Sequence, residues 1–171
     1  MKTSRLIIMM LVISISACSQ NTGNNQSAVS ATDNNKPPVG TFHKVIKTDE
    51  EWKKILTPEQ YKITRTGATE CSFSGSLLGN HENGNYYCIC CGNLLFTSDT
   101  KFNSGTGWPS FFKPATENSV NEATDNSLGM VRTEITCKMC DAHLGHVFDD
   151  GPKPANLRYC LNSGALRFEK K

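Results

Sequence analysis

The chain has 171 residues, with 18 Lys and Arg against 16 Asp and Glu, enough for one domain plus leader sequences. Lys2 and Arg5 lie in the first twenty positions, and without them the charges balance at sixteen each. A neutral body excludes the basic footprint of a nucleic-acid binder, and no later apolar run is long enough to cross a bilayer.

In chain order, residues 1–17 read as a secretory signal: the basic start, a mainly apolar Leu6 to Ile15, then small Ser16 and Ala17. The Ile15-Ser16-Ala17-Cys18 ending resembles a bacterial lipobox. That resemblance implies cleavage before Cys18, lipid on its thiol, and an exported protein anchored to a bacterial membrane on its periplasmic or cell-surface side. Residues 18–40 are rich in Ser, Asn, Thr, Gly and Ala and close on Pro37-Pro38, the composition of a flexible tether. The folded domain is expected over residues 41–171.

Thr48-Asp49-Glu50-Glu51 reads as a capping box opening a short helix, with Trp52, Ile55 and Leu56 on one face. Thr57-Pro58-Glu59-Gln60 offers a second helix start with Pro in its first turn. After Gly67 the character changes to short apolar or alternating runs between Gly, Asn, Asp and Pro: Tyr86–Ile89, Leu94–Thr97, Met130–Thr136, His146–Phe148 and Leu157–Leu161. These predict strands of an antiparallel, mainly β fold. Ser98 to Asn126 shows few strand signals and is expected to hold long loops.

Apart from Cys18, seven of the eight cysteines remain, an odd number that cannot all pair within one chain. Cys88 and Cys91 form one CxxC, Cys137 and Cys140 another. Two tight turns aiming four thiolates at one point make a closed tetrahedral set that suits one structural Zn2+ better than redox pairs. With 45 residues between the pairs, such a site would join distant parts of the domain. Cys90, wedged between two ligands, reads as a buried small hydrophobe, with a spare thiol as the alternative.

Between the pairs, Ser104-Gly105-Thr106-Gly107-Trp108-Pro109-Ser110-Phe111 is a loop whose Trp108 and Phe111 could wall a small apolar pocket, or simply pack a turn. His143 and His146, two of four histidines, follow the second CxxC directly. Either can donate a proton near neutral pH. Strand alternation puts Arg158, Cys160 and Asn162 on one face. A guanidinium beside Cys160 would favour its thiolate, the nucleophilic form. Taken alone, a strand cysteine is more often a core residue than a catalytic one.

Cys88-x-x-Cys91-Gly92, Gly105-x-Gly107-Trp108-Pro109-Ser110-Phe111, His143-Leu144-Gly145-His146-Val147-Phe148 and Arg158-Tyr159-Cys160-x-Asn162-Ser163 together resemble the B-type peptide-methionine (R)-S-oxide reductases, over about residues 42 to 169. The resemblance implies a β-tent of two antiparallel sheets with short N-terminal helices, and a structural zinc held by four cysteines opposite the active site. It implies reduction of methionine (R)-S-oxide in proteins, or free, with Cys160 as nucleophile. Trp108 would cradle the substrate methyl, with Phe148 and Arg158 beside it, and His143, His146 and Asn162 would surround the sulfoxide oxygen. Many members carry a resolving cysteine where this chain has Thr106. Cys71 is the thiol expected to take that task, with a thioredoxin-like partner as reductant.

Overall fold

The computed structural model describes residues 44–171. The expected signal peptide, the lipidated Cys18 and the tether lie outside them. Two short helices come first, α1 (Asp49–Ile55) and α2 (Pro58–Thr66). Both start on a full capping box: Thr48 with Glu51, and Thr57 with Gln60. Each box satisfies two otherwise orphaned backbone N–H groups. Acidic residues fill the first turn of α1 and Lys53 and Lys54 its last, complementing the helix dipole. Gly67, with φ 73°, closes α2 in the left-handed conformation that glycine adopts without strain.

One expectation for α1 fails. Trp52 and Leu56 are buried, but Ile55 is 56% exposed. The helix ends at Ile55 and Leu56 is already extended, so the chain leaves the helical path before the apolar face is complete.

Nine strands follow among the described residues: β1 (Gly84–Cys88), β2 (Leu94–Thr97), β3 (Lys101–Phe102), β4 (Ser110–Phe111), β5 (Val120–Asp125), β6 (Arg132–Cys137), β7 (His143–Phe148), β8 (Arg158–Leu161) and β9 (Leu166–Lys170). They form two antiparallel sheets, ordered β2-β1-β9 and β3-β4-β8-β7-β6-β5. The mainly β architecture with two sheets and two leading helices is the one expected. Two strands were not expected: β5, inside the stretch read as loop, and β9 at the C-terminal end. In β5 only Val120 and Ala123 are apolar, and every residue of the strand is exposed or half-buried at the sheet edge, whereas β9 does alternate, Leu166 and Phe168 inward and Arg167 and Glu169 outward, over a stretch too short and charged to stand out.

An aromatic cluster joins the sheets. Tyr86 and Phe96 from the smaller sheet meet Phe111 and Tyr159 from the larger one. Ring centroids lie 4.9 Å apart for Tyr86–Phe111, 4.6 Å for Phe96–Phe111 and 5.6 Å for Phe96–Tyr159. Tyr159 and Leu161 therefore face the core, and alternation turns Cys160 to the other side of β8. On the helical side, Arg65 of α2 stacks over Trp52 at 5.0 Å and donates to the Cys140 carbonyl at 2.9 Å, fixing α2 to the turn after β6.

Candidate active site and metal centre

The cysteine cluster is built from two turns with the same hydrogen bonding. The amide of Gly92 donates to the Cys88 carbonyl, and that of Asp141 to the Cys137 carbonyl, both at 2.9 Å. The amide of Cys88 donates to the Asn93 carbonyl, and that of Cys137 to the Ala142 carbonyl. Gly92 and Asp141, at φ 75° and 55°, supply the left-handed residue that each turn requires. The sulfurs of Cys88, Cys91, Cys137 and Cys140 all lie within 4.8 Å of one another. The nearest pairs, Cys88–Cys140 at 3.7 Å and Cys91–Cys137 at 3.6 Å, are far longer than an S–S bond and come from opposite turns. Hydrogen bonds from Cys140 and then Cys88 hold the Cys137 thiol far below its ordinary range, while those with Cys137 and Cys140 push Cys88 well above. Four converging sulfurs with no disulfide among them fit a metal ion as the shared counter-charge. The cluster ties the end of β1 to the end of β6, and so one sheet to the other. Cys90 is buried beside it.

The second site lies on the face of the larger sheet that Cys160 shares. Cross-strand register pairs Glu134 with His146, His146 with Cys160, and Cys160 with Ser110. Paired residues project from the same face. Asp125 pairs with Arg132 two positions before Glu134 on β6, and so joins this face. A spacing of three would put His143 and His146 on opposite faces of a regular strand. An irregularity in the β6–β7 register between Ile135 and Thr136 re-aims His143, and the two rings sit 5.5 Å apart.

Cys160 opens into a cleft of about 120 Å³ lined by Thr69, Trp108, Arg132, His146, Phe148 and Asn162, among others. Its neighbour across the rim is Thr106, Oγ1 to Sγ 3.8 Å. Burial pushes the Cys160 thiol above its ordinary value. Thr106, Arg158 and Ser110 each pull it down without offsetting burial. Burial thus favours the thiol form of Cys160 over the thiolate.

His146 Nε2 lies 2.8 Å from Asp125 Oδ2, the same oxygen that receives Arg132 Nη2 at 2.6 Å. Burial lowers the His146 pKa, the Asp125 hydrogen bond raises it, and the Arg132 charge lowers it further. His143, buried and absent from the cleft lining, places Nδ1 2.6 Å from Glu134 Oε1 and leaves Nε2 without a partner. Arg158 also lies outside the lining. It is buried over the Phe148 ring at 4.4 Å and forms a two-point ion pair with Asp150 at 2.7 and 2.8 Å. Asn162 is buried, with Nδ2 donating to the Leu144 carbonyl and Oδ1 accepting from the Glu70 amide, both at 3.0 Å.

Glu70 organises the opposite wall. Its carboxylate takes the amides of Ser163 (2.7 Å) and Gly164 (3.0 Å), and its carbonyl takes the Trp108 indole N–H at 3.1 Å. Cys71, next in the chain, is exposed, and the Phe73 amide donates to the Gly107 carbonyl at 2.8 Å. Cys71 thus sits on a segment bound at both ends to the loop that carries Thr106.

A domain model described as the SelR domain matches residues 56–170. The chain belongs to the SelR domain family. Among SelR relatives, the chain is 54% identical over 129 residues to the peptide methionine sulfoxide reductase MsrB of Leptospira interrogans, covering 75% of this chain and 98% of that protein. It is 56% identical over 126 residues to the MsrB of Herminiimonas arsenicoxydans, covering 74% and 92%. It is 55% identical over 131 residues to that of Bradyrhizobium diazoefficiens, covering 77% and 94%. The SelR match includes all four clustered cysteines and every residue of the cleft.

Arg132 lines the cleft, and Asp125, Glu134, Asp150 and Glu70 hold residues in or beside it, without any of the five standing in the sequence motifs. Arg132 and Glu134 were within reach, since they alternate along a run already read as a strand. Asp125 lies on the unrecognised β5, and Glu70 acts through bonds to backbone amides and through its own carbonyl, which leave no motif.

Proposed function

We propose that this chain reduces methionine (R)-S-oxide, in proteins or free, to methionine at Cys160. The observation that carries the reading is a cleft in which the Cys160 sulfur, the Trp108 indole and the His146 imidazole meet. A methyl sulfoxide is small and amphipathic. The Trp108 and Phe148 rings suit its methyl end, and a proton donor suits its oxygen. The Cys160 thiolate attacks the sulfoxide sulfur while the oxygen is protonated from the histidine side. Two electrons pass from Cys160 to the substrate, the oxygen goes to Cys160 as sulfenic acid, and methionine departs. The Cys71 thiol then attacks the sulfenic sulfur, giving a Cys71–Cys160 disulfide and water, and a thioredoxin-like dithiol returns both thiols by exchange.

Cys88, Cys91, Cys137 and Cys140 would hold one Zn2+, which supplies folding energy and takes no part in the reaction. Export and a lipid anchor on Cys18 would put the enzyme at a bacterial membrane. No helix among the described residues is long and apolar enough to cross a membrane itself. The test is an assay on separated R and S epimers of methionine sulfoxide. The intact protein is expected to consume R alone, and Cys160→Ser neither. Reduction of both epimers, or activity in the Ser variant, would overturn the reading.

A further inference from the structure

We infer that Asp125 is a positioning residue that orients His146, with Arg132 as its counter-ion. The inference rests on the proposed reaction at Cys160, with His146 as its acid, and goes beyond it by naming the group that orients the ring.

Asp125 is placed for the task from three directions. Its Oδ1 accepts the Ser127 amide at 2.8 Å, which pins the carboxylate at the β5–β6 turn. Its Oδ2 receives His146 Nε2 and Arg132 Nη2 together. The hydrogen bonds from Ser127, His146 and Arg132 hold its carboxyl well below the usual carboxylate range, so it is ionised and can only accept. His146 Nε2 must then carry hydrogen in both protonation states. Nδ1 is left as the only nitrogen that gains and loses a proton. This is the arrangement in which a hydrogen-bonded carboxylate fixes an imidazole tautomer and steadies the imidazolium.

The two histidines differ in access. His146 lines the cleft with Cys160 and Trp108, whereas His143 is tied to Glu134 outside that lining. The charged and titratable groups around His146 are Asp125 on β5, Arg132 and Glu134 on β6, His143 on its own strand, and Cys160 on β8. Asp125 opposes the burial that keeps the ring neutral, and Arg132 tempers Asp125.

The test is single-turnover reduction of methionine (R)-S-oxide against pH, with no recycling reductant, on the zinc-loaded protein. An acid must be protonated, so the rate has a limb that falls as pH rises through its pKa. Asp125→Asn keeps an acceptor but removes the charge. It is expected to slow the step about tenfold and move that limb down by roughly one pH unit. Arg132→Gln is expected to move the limb the other way, and Asp125→Glu to restore it. A rate loss in Asp125→Asn with the limb unmoved would mean a merely structural role and overturn the inference, as would an unchanged rate. Should Asp125→Asn not fold, the His146 ring titration followed by NMR in Arg132→Gln decides by the same sign. Reduction by Cys160→Ser in this assay would sink the underlying reaction instead.

Discussion

At the residue scale, the surroundings of Cys160, the proposed nucleophile, hold back its ionisation. Burial outweighs the three neighbours that favour its thiolate. Alkylation by a small uncharged reagent should therefore have its pH midpoint above that of an ordinary cysteine, and Arg158→Met should raise it again by removing the favourable charge. The midpoint is read from the rate of mass increase against pH, and a midpoint below neutral would contradict the balance. Thr106 offers a second test. With 3.8 Å from its Oγ1 to the Cys160 sulfur, Thr106→Cys brings a thiol near disulfide reach after a small side-chain rotation. The double variant Thr106→Cys/Cys71→Ser should regain the multiple turnovers that Cys71→Ser alone is expected to lose with a thioredoxin-like reductant. The cleft residues legible in the sequence, Trp108, His146, Phe148 and Cys160, have large or reactive side chains. Asp125 and Glu70 were not legible, because they matter through partners far away in the chain. Only the folded register brings these together, so spacing alone could not reveal them.

At the element scale, the pairing of β7 with β8 sets the chemistry, and Gly145 sets the pairing. A Cβ there would lie 2.1 Å from the Cys160 carbonyl oxygen, at a backbone φ of 154°. Gly145→Ala should therefore pry the strands apart beside the nucleophile. The expected cost is about 3 kcal/mol in urea unfolding, together with lost reduction of the substrate. Removing a helix cap is milder: Thr57→Ala leaves the Gln60 amide without its acceptor and should cost about 1 kcal/mol with activity intact. The helix starts were legible because each cap is a local hydrogen-bond pattern spelled out in four consecutive residues. The edge strands β5 and β9 were not: β5 buries almost nothing and so carries no apolar pattern, and β9 offers only Leu166 and Phe168 among charged residues. Ile55 was misplaced for a different reason: its exposure depends on where α1 stops rather than on its period.

At the scale of the whole molecule, two sheets meet through an aromatic cluster at the centre and a cysteine cluster at one end. A structural zinc contributes apparent free energies of about 10–16 kcal/mol, as large as the total stability of most domains. Chelation should thus unfold the chain rather than merely silence it: far-UV circular dichroism and activity should fall together, and metal analysis beforehand should find one zinc per chain. Retained ellipticity after complete metal removal would disprove a structural role. The CxxC pairs announced this centre because each turn is local. Which parts of the fold they would clasp depended on a register that no short motif encodes. The Glu70–Phe73 segment has one more consequence. It is bonded on one side of Cys71 to the Trp108 indole and on the other to Gly107. Any pull of Cys71 toward Cys160 must tug on that ring. Of the chain's two tryptophans, Trp52 is sealed beneath α2, so emission changes during the cycle belong to Trp108. The enzyme carries its own optical gauge of whether the second sulfur has engaged.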